Sequence, residues 1–188
     1  MPVPVPPHAK LAYDGPRQKA WEWEQELFDG SRKTFSCITR EDTVAVIAFL
    51  DSETILLQQE EQPGRAAPFL DVPGGVVEKG EAPEITAARE LQEETGYSPA
   101  VVRLFRRKEF FGMTRFVEDV YIATGLTDGQ GPTFDAGEKI VLKPTPWKEA
   151  VALSLQGKLR RQEAMLAILA MEFDPEAKKR KDDFLRSA

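Results

Sequence analysis

The residues of this chain best suited to chemistry are three glutamates in one short segment, Glu90, Glu93 and Glu94. The segment predicts a helix, because Pro83 suits a first helical turn and Gly96 suits the position just past a helix end. On that helix Glu90 and Glu94 are one turn apart, and Glu93 lies beside them. Like charges at this spacing destabilise a helix by about a few tenths of a kcal/mol per pair. Something else should therefore offset the repulsion.

Two interpretations of the acidic face are open. The first is a solvated helix surface with Lys79 and Arg89 nearby. The second is a divalent cation site, because hard cations such as Mg²⁺ take oxygen ligands, a few from the protein and the rest from water and phosphate. The pair Gly74-Gly75 precedes the helix. A glycine loop lets a backbone carbonyl approach the same ion.

The spacing of these residues resembles the Nudix box: a glycine, five residues, a glutamate, seven residues, and then Arg-Glu-hydrophobic-any-Glu-Glu-any-Gly-hydrophobic. Every constrained polar position matches, and the matching residues are Gly75, Glu81, Arg89, Glu90, Leu91, Glu93, Glu94, Gly96 and Tyr97. Tyr97 is aromatic where an aliphatic residue is commoner. On these residues the chain is identified as a member of the Nudix hydrolase superfamily, with the resemblance specific over about residues 43–172.

This resemblance implies an α/β fold, the Nudix α/β/α sandwich with a mixed sheet. It also implies hydrolysis of the pyrophosphate bond of a nucleoside diphosphate linked to another moiety, with Mg²⁺ or Mn²⁺ as cofactor. The implied metal ligands are Glu90, Glu94, Glu93 and the carbonyl of Gly74. Arg89 is expected to orient the glutamates through charge-assisted hydrogen bonds, and Glu81 to support the ligands from behind.

The general base varies among Nudix subfamilies, so it is sought outside the box as well as at Glu93. Glu138 stands at a loop-to-strand junction, and Glu118 opens the strand after an aromatic loop. Each could instead be a surface carboxylate. We favour Glu138 of the two.

The layout is similar to the ADP-ribose and nucleotide-sugar pyrophosphatase branch, whose members are usually dimers with a base pocket built from both subunits. Gln62 and Arg65 precede the box where that branch often has a Gln-aromatic-Arg stretch. Arg65 could stack on a nucleobase with Phe28 or Phe35 opposite. The alternative for both phenylalanines is core packing. A homodimer is expected. The N-terminal hairpin could pack on its own domain, but we favour a hairpin that is exchanged or shared with a second subunit.

One departure concerns the substrate. The ADP-ribose group usually has a Pro-Gly pair in the loop after the box, and here that place holds Phe111-Gly112. Other nucleotide sugars or nucleotides therefore stay open. A nucleoside triphosphate pyrophosphatase is an alternative enzyme, and a non-catalytic Nudix-fold nucleotide sensor is the alternative outside catalysis. The intact set of box glutamates favours an enzyme.

Composition excludes several other classes. With 188 residues and 41% hydrophobic content, the chain can bury one core. A net charge of −6 argues against a nucleic-acid or membrane-surface binder. No apolar run is long enough to span a membrane. A lone cysteine, Cys37, cannot form a disulfide within the chain, which favours the cytoplasm.

The predicted organisation has four parts. They are a flexible Pro-rich arm at 1–16, a β-hairpin extension at 17–42, the Nudix domain at 43–173 and a charged, solvated tail at 174–188.

Within the predicted domain, strands are expected at 43–50, 54–59, 100–105, 117–126 and 138–142, and 106–115 reads as a loop or short strand. Pro144 and Pro146 are expected to end the last strand. Helices follow from Trp147 to residue 172. The helical spacing of three apolar residues predicts that they face the core: Leu166, Leu169 and Phe173.

Overall fold

The structure is a computed structural model that describes residues 5–129, 131–134 and 136–186. Its described strands are β1 Lys10–Asp14, β2 Gln18–Glu26, β3 Arg32–Arg40, β4 Thr43–Asp51, β5 Thr54–Glu61, β6 Phe69–Asp71, β7 Tyr97–Ser98, β8 Val101–Phe111, β9 Thr114–Thr124, β10 Thr127–Asp128 and β11 Lys139–Pro146. Its described helices are α1 Pro83–Thr95, α2 Trp147–Leu155, α3 Gln162–Phe173 and α4 Pro175–Arg186.

The main sheet is mixed. Its strand order is β1-β2-β3-β9-β4-β5-β11, with β6 paired to β5 and β8 paired to β9. The pairs β4·β9 and β3·β9 are parallel, and the other pairs of this sheet are antiparallel. A second, two-stranded ribbon joins β7 and β10.

Strand β4 lies at the centre of the fold, and both of its faces are covered. Val44, Val46 and Ala48 pack into the cluster that holds Ala87 and Leu91 of α1. The alternate residues of β4 pack into the larger cluster with α2, α3 and α4. A strand buried on two sides reads as a continuous apolar run, as β4 does. The predicted α/β/α sandwich with a mixed sheet is thus confirmed.

The N-terminal extension contains the expected hairpin and one more strand. β2 and β3 pair in register from Gln18↔Arg40 to Glu26↔Arg32. Ser31 donates hydrogen bonds to the Asp29 carboxylate in the turn, from its backbone N–H at 2.9 Å and its hydroxyl at 2.6 Å. The expectation of a flexible arm before residue 17 does not hold for β1, which pairs with β2. Residues 1–4 lie outside the described part.

Two predictions along the sheet hold only in part. The segment 106–115, expected as a loop or short strand, is mostly strand, because β8 and β9 form one long hairpin that turns at Gly112-Met113. Pro144 does not end β11, which continues to Pro146, its last residue. β11 lies at the end of the strand order and pairs with β5 alone, and an edge strand tolerates prolines because its outer N–H groups need no partner strand.

The helices at the C-terminal end also differ from expectation. The buried residues of α3 include Ala164, Ala167 and Ile168. Of the three residues predicted to face the core, Leu169 packs against the larger core cluster, whereas Leu166 and Phe173 are exposed. A uniformly apolar helix carries no periodicity that could fix which face is buried.

The predicted solvated tail is wrong for the described residues up to Arg186. They form α4, whose Phe184 is fully buried in the larger core cluster. The Lys181 ammonium lies 4.5 Å from the centroid of the Trp147 ring. Residues 187–188 lie outside the described part. No described helix is long and apolar enough to cross a membrane.

Candidate metal centre and active site

The glycine loop that follows β6 is held against the central strand β4. The N–H of Val44 donates to the Gly75 carbonyl at 2.9 Å, and the N–H of Val46 donates to the Pro73 carbonyl at 2.8 Å. Gly74 has a φ of +148°, and a Cβ there would lie 2.2 Å from the Val44 carbonyl oxygen. Only glycine therefore allows the chain to run this close to β4.

Helix α1 begins and ends as its sequence predicts. Pro83 occupies its first turn, and Gly96 closes it in the left-handed conformation with φ of +79°. The buried face includes Ala87 and Leu91, which pack on β4. Ile85 lies off this face and is 60% exposed. The packing of α1 leaves Glu90 partly buried and Glu94 buried at the glycine loop.

Glu94 is the most enclosed of the four box glutamates, with 6% of its surface exposed. Its Oε2 accepts hydrogen bonds from the Gly74 N–H at 2.8 Å and from Gln58 Nε2 at 3.1 Å. Burial nevertheless raises the pKa of Glu94 to about 8, because desolvation disfavours the charged form more than these bonds favour it. Sequence reasoning missed Gln58, which lies on β5 far from the box.

Arg89 links the remaining box carboxylates. Its Nε and Nη2 donate to the two oxygens of Glu81, both at 3.1 Å. Its Nη1 lies 2.9 Å from Glu90 Oε1 and 2.7 Å from Glu93 Oε2. These contacts hold the pKa of Glu81 below its usual range, chiefly through the hydrogen bond from Arg89. Burial raises the pKa of Glu90, and the charge of Arg89 opposes that rise.

The absence of a side chain at Gly75 leaves room for the Glu90 carboxylate. A Cβ on Gly75 would lie 2.4 Å from the carboxylate carbon of Glu90, closer than real contacts permit. The glycine pair of the box thus serves two different contacts, one with β4 and one with α1.

The two general-base candidates outside the box lie on different strands. Glu118 was expected to open its strand, but it is buried in the middle of β9, opposite Thr43 of β4. Burial raises its pKa, while the charge of Arg161 is the largest influence that lowers it. Glu138 is partly buried and directly precedes β11, whose Lys139 is paired with Glu61 at the end of β5.

A side chain that sequence reasoning missed connects the two sides of the site. Arg161, just before α3, donates from Nη2 to the carbonyl of Gly74. Its Nε lies 3.2 Å from the buried carboxylate of Asp71. The charge of Arg161 lowers the pKa of Glu90, Glu94 and Glu118 against the larger opposing effect of burial. The pair Arg160-Arg161 ahead of an apolar helix was the only feature of the sequence that pointed to Arg161.

The residues predicted to bind substrate are placed in two regions. Arg65 lies 4.7 Å from the centroid of the Phe69 ring and donates from Nε to Gln62 at 3.2 Å. Phe28 is fully exposed in the turn between β2 and β3. Phe35 is half-exposed on β3, with its ring centroid 6.1 Å from that of Trp23. Arg65 thus stacks within the chain on Phe69, a residue the sequence did not single out.

The donors at this site fit a hard divalent cation. Glu90, Glu94 and the Gly74 carbonyl supply oxygen only, which such ions prefer. Burial raises the pKa of both glutamates, and a bound cation would favour their charged forms. Gln58 Oε1 is also buried and accepts no hydrogen bond from the described residues. In the described conformation, no three Asp, Glu, His or Cys side chains converge closely enough to form a complete metal site.

Comparison with known proteins places the chain in a family. The model of the NUDIX domain matches residues 39–165, more than half of the chain. Together with the sandwich fold and the site, this match shows that the chain belongs to the Nudix family, as predicted.

Two curated relatives and one solved structure are informative. The chain is 32% identical over 95 residues to an ADP-ribose pyrophosphatase of Bacillus subtilis (strain 168), covering 50% of each protein. It is 35% identical over 102 residues to a CMP-5'-(N-acetyl-N-hydroxy-3-aminopropyl)phosphonate hydrolase of Streptomyces rubellomurinus, covering 54% of this chain and 49% of the relative. A crystal structure of an ADP compounds hydrolase matches with a TM-score of 0.73 at 15% identity, over 89% of this chain and 90% of the other.

The matched part spans about half the length of these two curated relatives. At 15% identity the structural match establishes the fold alone. The ADP-ribose pyrophosphatase among the relatives agrees with the predicted branch of the family.

Proposed function

We propose that this chain is a metal-dependent pyrophosphohydrolase that cleaves a nucleoside diphosphate linked to another moiety. ADP-ribose or another nucleotide sugar is the proposed substrate, with a nucleoside monophosphate and a sugar phosphate as products. The observation that carries the proposal is the approach of Glu90 and Glu94 to the Gly74-Gly75 loop, with Arg89 joining the box carboxylates. This is an oxygen-lined, partly buried site of the kind that a phosphate-bridging cation needs.

In this proposal Glu90, Glu94, Glu93 and the Gly74 carbonyl hold Mg²⁺ or Mn²⁺. Such an ion, when bound, supplies positive charge to phosphate oxygens and lowers the pKa of bound water. Arg89 keeps the carboxylates in place because its guanidinium contacts several of them at once. Glu81 anchors Arg89 from the far side.

A general base must accept the proton of the attacking water. Its candidates are Glu93 in the box and Glu118 and Glu138 outside it. The burial of Glu118 on β9 supports Glu118 over Glu138, which is only partly buried. Single Glu→Gln variants separate Glu118 from Glu138, because only the base should lower kcat while leaving Mn²⁺ affinity unchanged.

The remaining parts of the proposal concern the substrate and the assembly. Arg65 and Gln62 bind the nucleotide within one chain, and Phe28 or Phe35 of a second subunit completes the base pocket in a homodimer. The exposure of Phe28 supports this arrangement. A cytoplasmic location is proposed from the single buried thiol, Cys37.

The experiment is a turnover assay with Mg²⁺ over ADP-ribose, other nucleotide sugars, dinucleoside polyphosphates and nucleoside triphosphates. Glu94→Gln is the test variant, and Glu84→Gln, which alters an exposed carboxylate of the same helix, is the control. We expect a loss of at least about 100-fold in kcat for Glu94→Gln and little change for Glu84→Gln, since one transition-state charge contact contributes roughly that much.

The substrate preference in this assay decides among the alternative functions. A preference for a nucleotide sugar supports the proposal, and a preference for nucleoside triphosphates would replace it with the triphosphate pyrophosphatase. Tight nucleotide binding without turnover on any substrate would indicate a sensor. Full activity in Glu94→Gln would contradict the ligand assignment.

A further inference from the structure

A guanidinium that does not belong to the Nudix box lies at the carboxylate site. Arg161 is only 10% exposed at its side chain. Its backbone N–H donates to Asp71 Oδ1 at 3.3 Å, and its Nε lies 3.2 Å from Asp71 Oδ2. From this anchor the side chain reaches across the loop, and Nη2 donates to the Gly74 carbonyl.

The anchor is itself rigid. Asp71 is completely buried at the end of β6, and its carboxylate also receives the Val72 N–H at 3.0 Å and Arg160 Nε at 2.7 Å. Neighbouring Arg160 uses the same carboxylate, but its guanidinium lies 4.8 Å from the centroid of the Phe69 ring. Of these two adjacent arginines, Arg161 is the one that donates to the glycine loop.

Arg161 and a buried carboxylate meet at the same residue of the loop. The Gly74 carbonyl accepts from Arg161, and the N–H of Gly74 donates to Glu94 Oε2 at 2.8 Å. Glu94 is only 6% exposed, and a buried carboxylate needs positive charge nearby because uncompensated charges are costly to bury.

The same carbonyl cannot serve the guanidinium and a divalent cation equally well. A cation ligated by Gly74 would lie close to Arg161, and two positive charges at short range repel each other strongly in a partly buried site. The guanidinium therefore competes with the ion for the carbonyl and for the adjacent carboxylates.

We propose that Arg161 is a built-in counter-cation of the metal site, which holds the Gly74 carbonyl in the metal-free protein and releases it when a divalent cation binds. Arg161 is on this account a positioning residue that lowers metal affinity and stabilises the empty site. The inference rests on the proposed metal-dependent function.

The test is a titration of the full chain with Mn²⁺, followed by the electron paramagnetic resonance signal of the free ion. We expect Arg161→Gln to bind Mn²⁺ about tenfold more tightly than the wild type, corresponding to loss of one competing charged contact. Arg160→Gln is the matched control, because it removes a neighbouring arginine with the same Asp71 anchor, and it should stay within about twofold of the wild type.

Thermal unfolding gives a second measure that does not depend on turnover. Arg161→Gln should lower Tm in EDTA more than in saturating Mn²⁺, because ligand binding to the native state offsets the lost counter-charge. A purely structural role would lower Tm by the same amount in both conditions. If Arg161→Gln does not fold, Arg161→Lys is the second variant. It keeps the positive charge but lacks the planar guanidinium that donates to the Gly74 carbonyl, and it should tighten Mn²⁺ binding about threefold.

The outcomes separate this inference from the proposed function. Tighter Mn²⁺ binding in Arg161→Gln but not in Arg160→Gln supports the counter-cation. Equal or weaker binding in Arg161→Gln, or an equal gain in Arg160→Gln, overturns the counter-cation while wild-type binding still supports the metal site. Absence of saturable Mn²⁺ binding in both the wild type and Arg161→Gln would overturn the metal site and the counter-cation together.

Discussion

At the scale of single residues, the site depends on close contacts between carboxylates and the donors or guanidinium groups that bind them. Glu94 receives two hydrogen bonds and is still desolvated enough for its pKa to rise to about 8. Arg89 reaches Glu81, Glu90 and Glu93 with one planar group, which a flexible ammonium cannot do. Small changes in side-chain shape should therefore affect function far more than stability.

Gly75→Ala tests this at the contact with Glu90. The added Cβ would displace a carboxylate at the end of a flexible side chain, so the free energy of unfolding should fall by less than about 1 kcal/mol. Mn²⁺ affinity and kcat/KM should fall about 10- to 100-fold, as for other residues that orient ligands. Gly112→Ala is the control, because a Cβ there meets nothing within 4 Å. Unchanged Mn²⁺ affinity in Gly75→Ala would show that the position of Glu90 does not matter.

Arg89→Lys tests the shared guanidinium. Lysine retains the charge but offers a single donor centre, so it cannot hold Glu81 in two hydrogen bonds and contact Glu90 as well. We expect kcat/KM to fall about 10- to 100-fold with little change in the urea midpoint. Arg186→Lys, in an exposed pair with Asp183 on α4, serves as the control and should change neither quantity. Wild-type kinetics for Arg89→Lys would mean that charge alone suffices.

At the scale of elements, the helices are informative because only some of them show their buried face in the sequence. Helix α1 has its limits set by Pro83 and Gly96, and its role by the box. Helix α4 is rich in charge, yet it buries Phe184 against the sheet, and the Arg103 guanidinium lies 5.1 Å from the centroid of that ring. One buried aromatic side chain thus packs α4 against the core, although the charged composition of this helix alone predicts that it is solvated.

Phe184→Ala should destabilise the protein by about 3–5 kcal/mol, the usual cost of removing a buried phenyl ring. Phe173→Ala on α3 is the control, because Phe173 is 64% exposed and its loss should change stability by no more than about 0.5 kcal/mol. Urea unfolding followed by tryptophan fluorescence measures both. Equal effects of the two variants would contradict the docking of α4.

At the scale of the whole molecule, the N-terminal strands extend the sheet beyond the region that the Nudix model matches. β3 reaches the main sheet through a short parallel pairing with β9 at Ile38 and Thr39. Leu11, Tyr13 and Phe28 are exposed on this extension. Exposed apolar side chains on a small sheet extension suit the proposed contact with a second subunit.

Phe28→Ser should shift the protein toward the monomer without destabilising the fold, because the ring makes no buried contact within the chain. Light scattering coupled to size-exclusion chromatography measures the shift. Phe173→Ser removes another exposed phenylalanine, on α3, and should leave the mass unchanged. A wild-type protein that is monomeric at all concentrations would end the proposal of a shared base pocket.

The sequence by itself determined the family, the sandwich fold and the residues of the box, because those features depend on local spacing. Helix limits follow from Pro83 and Gly96, and the buried strand β4 from its continuous apolar run. The chemical character of the acidic helix was also readable, since carboxylates one turn apart need a cation or solvent.

The tertiary structure alone decided which distant groups meet the box. Gln58 reaches Glu94 from β5, and Arg161 reaches Gly74 from the start of α3, across separations of 36 and 87 residues. It also decided that β11 continues past Pro144 and that α4 packs against the core, because edge position and burial depend on neighbouring elements. Local patterns record the geometry of one element, whereas these contacts depend on how several elements pack together.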